Sequence, residues 1–330
     1  MKRVLFAIEK WADARKRERG ESSTHYGVVG SMLTHKFGVA DTFYYDVENE
    51  SGDVDTQFVA KCAKDRPDMI LATCLLSMGD GNIKPQTYGY IRDELKIPVA
   101  MLWYESAPDV VRWADAYAPS ITVNVFADTR NEWRKWAKHP EKSVHLLDPR
   151  DPAIFYSDDT PRGIALSFVG STFARPDRAM NLAVLWGEGI RYEQFGGVES
   201  LFISSIDNYA KILRRSLVTI NFTSAVTFRH INARIAEATM CGAMLLQSED
   251  EETAAILDPF REYVPFTETF SYTSHGLLNI QRGDLREKAI HYAYRYASEA
   301  RRVAERGHSK GIEIFDGRLF WNELFKLVGL

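Results

Sequence analysis

The sequence predicts an α/β protein built from two parallel-sheet domains, and three observations carry that prediction. Short apolar runs alternate with helix-period stretches almost from end to end. A proline- and aspartate-rich segment interrupts the alternation near the middle. The 330 residues suffice for two domains at roughly 150 residues each.

In the first half the expected strands are 4–8, 41–47, 69–74, 99–103, 121–126 and 143–147. Between them lie helix-period segments, such as the one placing Tyr26, Val29, Leu33 and Phe37 on one face. Apolar strands each followed by a helix mean βαβ units and parallel pairing. The segment 148–163, with three prolines and four aspartates, is expected to be the interdomain linker. The alternation then restarts with strands at 164–170, 190–195, 217–222, 243–247 and 261–266. A long polar helix is expected over 284–307, and an amphipathic one follows through Leu319, Phe320, Leu324, Phe325 and Val328. The result is two Rossmann-like halves with ligands expected at the carboxyl ends of their strands, in a cleft between the two.

Composition narrows the function. Hydrophobic content of 45% and charge of 26% are ordinary for a folded soluble protein. A net charge of −4 gives no global attraction to nucleic acid or anionic lipid. Cys62, Cys74 and Cys241 form no CxxC pair, which suits reduced thiols. The first apolar run, 4–8, is too short for a signal-peptide core. A cytoplasmic protein is expected, with no membrane span.

Charged and polar positions at strand ends are the candidate site. Arg234 and Glu237 share a helix face at i, i+3. Their helix follows a strand, and Arg229 and His230 add positive charge near its start. Helix starts favour phosphate, and a carboxylate one turn deeper can accept two hydrogen bonds from a ribose diol. The pattern alone also fits a surface Arg–Glu pair worth about 0.3–0.5 kcal/mol, and Gly242 reads as a helix cap. A second candidate is 167–180, where a strand ends at Gly170 and Ser171, and Arg175 and Arg178 can reach phosphate oxygens. It is not a P-loop, and no GxGxxG follows the first strand, which disfavours NAD and FAD. A third is the loop 17–30, where Ser22, Ser23, Thr24 and His25 can bond a sugar or an acceptor. Lastly Glu105 ends a strand and would serve as a general base if buried.

Together the segments IDNYAKILRRSLVTINF and RIAEATMCGAMLLQSED resemble the second domain of GT-B glycosyltransferases. The likeness is to the CgeB-like (spore-maturation) and group 1-like members. SFVGSTFARPDR resembles their strand–Gly–Ser loop, and FDGRLFWNELFKLVG their final helix, which packs back on the first domain. The resemblance implies an acceptor-side domain over 1–150 with helix 316–330, and a nucleotide-sugar domain over 151–315. It implies that Arg178 and Arg234 touch a diphosphate and Glu237 a ribose. Gly170, Ser171, Asn221 and Thr223, with His230, would line the donor pocket. Where many retaining members carry Glu, eight residues before the ribose-binding Glu, this chain has Arg229.

The expected reaction is transfer of a hexosyl or pentosyl group from a nucleotide diphosphate to a small molecule, a glycan or a modified DNA base. No cofactor is called for, because the nucleotide sugar is a substrate. The transfer is expected to need no DxD-held divalent metal, with Glu105 or His25 taking the acceptor proton if the outcome is inverting. Three alternatives remain. A nucleotide-sugar epimerase would act on donor alone. A non-catalytic two-domain binding protein is usually exported and crosses between domains more than once. A DNA-modifying enzyme would use 11–20 and 133–138 as phosphate contacts, with steep salt dependence.

Overall fold

The computed structural model describes residues 1–10, 24–48, 52–74, 81–172, 175–196, 205–223, 230–272 and 277–330. The chain divides into two compact units, Met1–Ala153 with Phe315–Leu330, and Ile154–Ile314.

The first unit is built on six strands, β1 (Lys2–Ile8), β2 (Gly38–Tyr44), β3 (Met69–Ala72), β4 (Val99–Trp103), β5 (Val123–Phe126) and β6 (Ser143–His145), in the order β2-β1-β3-β4-β5-β6. Every pairing is parallel. A parallel sheet is covered on both faces, so its inner strands β1, β3, β4 and β5 are buried along most of their length, whereas the edge strand β2 exposes Val39 and Asp41. In β1, Leu5 and Ala7 enter one core, with Phe58, Tyr88 and Val111. Val4, Phe6 and Ile8 enter the other, which the C-terminal helix Arg318–Leu327 closes with Phe320, Trp321, Leu324 and Phe325. Trp321 meets Phe6 edge-on, and its indole N–H donates to Ser31 Oγ at 3.1 Å. Gly317 turns the chain into that helix with φ 96°; a Cβ there would lie 2.6 Å from the Ser31 Cβ. The fold therefore does pack its last helix onto the first sheet. Trp321 is its buried anchor, and Leu319 is exposed rather than on the apolar face.

The second unit has β7 (Ile164–Val169), β8 (Glu193–Phe195), β9 (Ser216–Asn221), β10 (Met244–Ser248) and β11 (Val264–Phe266), again all parallel, in the order β11-β10-β9-β7-β8. Leu166, Phe168, Val218, Ile220, Met244 and Leu246 form its core with the helices Pro176–Gly187 and Ala297–Phe315. A hairpin of β12 (Phe270–Tyr272) and β13 (Leu278–Ile280) follows, which the sequence reading did not contain.

Two expectations change. The polar helix is not continuous, because Tyr296 leaves helical geometry (φ −126°, ψ 55°) between Leu285–Arg295 and Ala297–Phe315. The segment 148–163 has neither helix nor strand but is pinned. Arg150 N donates to Phe315 O at 2.8 Å, Thr34 Oγ1 donates to Asp151 Oδ1 at 2.7 Å, and buried Phe155 packs on Tyr209.

Candidate functional site

In the second sheet β7 is flanked by β8 on one side and β9 on the other, so the strand order reverses between β7 and β9. Ligands of open parallel sheets bind outside the carboxyl ends at that reversal. There the chain leaves β7 through Gly170 and Ser171 and leaves β9 through Phe222 and Thr223. Two helices start nearby, Pro176–Gly187 with proline in its first turn and Ala233–Met240 after Asn232.

Three guanidiniums converge on these strand ends. Arg234 donates through Nε to Asn221 Oδ1 at 3.1 Å and through Nη1 to Val169 O at 2.9 Å. Arg178 donates through Nη2 to Thr223 O at 3.1 Å and reaches Ser171 O at 3.4 Å. Its buried Nε has no partner. Arg175 also bonds Thr223 O at 3.2 Å, and it forms a two-pronged pair with Asp177, at 2.9 and 2.6 Å. Arg175 is thus compensated by Asp177. Among the described residues no hydrogen bond or ion pair of Arg178 or Arg234 reaches a carboxylate. Burial, then the charges of Arg234 and Arg175, push the Arg178 guanidinium down to about 9, which still leaves it charged at neutral pH. One buried and two partly buried cations gathered on strand ends, beside two helix starts, form a candidate anion site.

Gly170 makes that convergence possible. A Cβ on Gly170 would lie 2.4 Å from Arg234 Nη1, and its φ of 156° disfavours any side chain. Asn221 and Thr223 act as braces. The Asn221 amide donates to Gln247 Oε1 at 2.6 Å and to Asn232 Oδ1 at 2.9 Å while its oxygen holds Arg234, and Thr223 N donates to Ser248 Oγ at 2.9 Å.

Two expectations on the neighbouring helix are revised. Glu237 is buried, and its Oε2 accepts the Tyr209 hydroxyl, so a surface Arg–Glu pair is not what is found. His230 stands within the electrostatic reach of Arg175, Arg178 and Arg234 but adds no charge. Burial first, then those three cations, lower its imidazole to about 4 and keep it neutral. Arg229, Ser22, Ser23 and the basic run 11–20 lie outside the described residues.

The first unit has its own polar group at strand ends. His25 is half-buried, stacks on Tyr44 and bonds its hydroxyl through Nε2 at 2.6 Å. Burial, and Lys10 after it, lower His25 below the usual imidazole range, leaving it a neutral base. Glu105 is exposed, so the burial that a general-base role asks for is absent. Two buried carboxyls went unnoticed in the sequence. Glu9, just past β1, accepts the Thr73 hydroxyl at 2.5 Å and the Tyr45 hydroxyl at 3.2 Å. Asp128, just past β5, accepts the Ser106 N–H at 2.7 Å and its hydroxyl, and burial raises it to about 7. Neither had a signal, because their partners come from distant strand ends.

Transfer without a DxD-held metal is the expectation, yet the chain does carry one DxD sequence, Asp53-Val54-Asp55. It heads the helix Val54–Asp65. Asp53 caps that helix by accepting Asp55 N at 3.1 Å, and Asp55 accepts Thr87 Oγ1 at 2.6 Å and pairs with Lys84. Among the described residues no group of three His, Cys, Asp or Glu side chains is placed to hold a metal ion. No helix among them is long and apolar enough to cross a membrane.

Residues 173–312, which include Arg175, Arg178, Arg234 and Glu237, match the family described as Glycosyl transferase-like. No curated protein matches the chain. Several solved structures share its fold. HepE from Anabaena, in complex with UDP-glucose, superposes with a TM-score of 0.63 at 8% identity over 99% of each chain. The catalytic domain of starch synthase IV from Arabidopsis thaliana, bound to ADP and acarbose, gives 0.62 at 8% identity over 99% of each chain. Sucrose-phosphate synthase from Thermosynechococcus elongatus gives 0.55 at 10% identity over 98% of each. At such identities the likeness is one of fold, and the fold is GT-B, with two parallel sheets flanked by helices.

Proposed function

We propose that the chain is a glycosyltransferase that takes a hexosyl group from a nucleoside diphosphate and delivers it to a hydroxyl acceptor. The observation that carries this reading is the pair Arg178 and Arg234. Both guanidiniums lie at the β7–β9 reversal without a carboxylate partner among the described residues. They fall within the segment that matches a Glycosyl transferase-like family. Fold neighbours hold UDP-glucose or ADP, which fits the same ligand chemistry. Resemblance to CgeB-like members is the subtype this reading favours.

In this reading the diphosphate lies against Arg178 and Arg234, the ribose on Glu237, and the sugar near Gly170 and Ser171. The bond from the anomeric carbon to the diphosphate oxygen breaks, and its electron pair stays on the diphosphate. Two guanidiniums already aimed there stabilise the growing charge without reorganisation, a term commonly worth about 2.7–4 kcal/mol per donor. No metal is assigned a role. The acceptor oxygen bonds to the anomeric carbon and loses its proton to a general base. Glycans and small polyols are the acceptor classes we favour over a modified DNA base. In the stretch once read as a basic phosphate contact, Trp133 is buried under Arg134, and Lys135 pairs with Glu132.

The test is release of nucleoside diphosphate from UDP-, ADP- and GDP-sugars, with and without acceptor. The wild type is expected to release it from at least one donor, and Arg178→Gln or Arg234→Gln to do so about 100-fold more slowly. Equal rates in wild type and both variants would remove the assignment. Conversion of the donor sugar with no diphosphate released would point instead to an epimerase.

A further inference from the structure

We propose that the second unit carries a separate saccharide-binding pocket at the amino ends of β7 and β8, and that its ligand is a short neutral oligosaccharide. The pocket lies at the opposite end of the sheet from the candidate donor site and does not rest on the nucleotide reading.

An unequal pair of strands creates the space. β7 has 6 residues and β8 only 3, and β8 pairs with Ser167–Val169 alone. Among the described residues Ile164–Leu166 therefore has no strand neighbour on that side. The chain reaches β8 from the helix Pro176–Gly187 through a tight turn that leaves the notch open. Gly189 takes φ 74° there, and its N–H donates to Trp186 O at 3.0 Å. A cavity of about 800 Å³ results, within the ~300–1,000 Å³ common for small-molecule sites. Trp186 and Arg178 share the helix, roughly 12 Å apart along its axis, so cavity and candidate donor site are distinct.

The lining selects the ligand. Trp186, Tyr192 and Tyr294 face the cavity, with Trp186 70% and Tyr294 47% exposed. Large rings left in the open around one concave surface mark a place where something else buries them. Tyr294 is set in position beforehand, because its hydroxyl donates to the Arg191 carbonyl. The charged lining residues are Arg191 and Glu193, both exposed and neither in an ion pair among the described residues. One cation and one anion cancel, so the pocket has no net attraction for a phosphate or a polyanion. A purely apolar ligand would strip water from both charges and give them no partner. A neutral sugar suits the whole set. The C–H face of its ring lies on an aromatic plane, while its hydroxyls accept from the guanidinium and donate to the carboxylate at the rim.

The experiment screens wild type, Trp186→Ala and Gly163→Tyr against an immobilised panel of neutral and anionic oligosaccharides, beside calorimetric titration of UDP, ADP and GDP. Trp186→Ala removes the most exposed ring. Gly163 lines the cavity, and a Cβ there meets no atom within 4 Å, so a tyrosine occupies the space without straining the fold. At least one neutral oligosaccharide is expected to bind wild type and to lose about tenfold or more in both variants. The circular dichroism of both variants and their affinity for nucleoside diphosphates should stay at wild-type values. Should one variant not fold, the other decides. The inference is overturned if no neutral oligosaccharide binds wild type, if those that bind are held equally by the folded variants, or if only anionic ones are weakened. Failure of every nucleoside diphosphate to bind wild type would instead defeat the nucleotide reading and leave this pocket standing.

Discussion

The Nη1 of Arg234 stands 2.4 Å from where a Cβ on Gly170 would be, and it bonds the Val169 carbonyl beside it at 2.9 Å. One strand end and one helix are thus fitted to each other through a missing methyl group. Adding that methyl tests the fit. Gly170→Ala should destabilise the second unit by about 1–3 kcal/mol, through its φ of 156° and the displaced guanidinium. Nucleotide affinity should fall about tenfold or more, measured by titration calorimetry beside a chemical denaturation curve. Ala at this position with undiminished affinity would mean that Arg234 works from elsewhere.

Arg178 gives a prediction of opposite sign for stability. A buried cation beside two others costs folding energy until an anion arrives. Arg178→Met should therefore raise the unliganded stability by about 1 kcal/mol or more. It should also abolish most of the nucleotide-induced stabilisation, which for wild type is about 2.7 kcal/mol at 100 Kd. Thermal denaturation with and without ligand reads both effects. A variant less stable than wild type without ligand, yet equally stabilised by nucleotide, would contradict the electrostatic account of the site.

His230 sets an acid limit. Its imidazole is lowered from 6.5 to about 4 in the folded chain, so the unfolded chain binds the extra proton first. Stability contributed by the neutral form is complete above the unfolded value and is lost as pH falls from about 6.5 toward 4. The loss approaches ~3 kcal/mol at the acid end. Wild type minus His230→Gln, followed by urea unfolding between these pH values, isolates it, because the similarly lowered His145 cancels. A flat difference would show that His230 titrates normally.

Glu9 concerns the other unit. Burial raises its carboxyl pKa despite bonds from Thr73 and Tyr45, and Asp46 adds to the rise. The protonated form is favoured in the fold, so stability is lost as pH rises through the folded pKa. Glu9→Gln keeps an oxygen for both hydroxyls and removes the charge. It should match wild type near pH 4 and exceed it by about 1–3 kcal/mol at neutral pH. A lower neutral-pH stability in the variant would mean that the carboxylate is compensated in the fold.

How much of this was legible in the sequence depended on whether neighbours along the chain decide the matter. Strands such as Ile164–Val169 and Ser216–Asn221 announce themselves because a parallel strand covered on both faces carries a short, mostly apolar run, here IALSFV and LVTI. The C-terminal helix was legible through its apolar spacing, although Trp321, not Leu319, proved to be its anchor. Arg178, Arg234 and Gly170 could be singled out because strand ends and helix starts are local features. What the guanidiniums bond was not legible, since Val169, Asn221 and Thr223 are brought to them by sheet pairing. His230 was misjudged as a cation because burial is a tertiary property. Tyr209, Glu9 and Asp128 were missed for the same reason. The break at Tyr296 left no mark, as no proline or glycine stands there.

The most direct measurement is calorimetric titration of UDP, ADP and GDP into wild type and into the double variant Arg178→Gln/Arg234→Gln, at low and at physiological salt. Expected is binding of at least one nucleotide by wild type, weakened by salt, and a loss of about 100-fold or more in the double variant. A nucleotide that binds the double variant as tightly as wild type would place the diphosphate away from these two guanidiniums and contradict the proposed site.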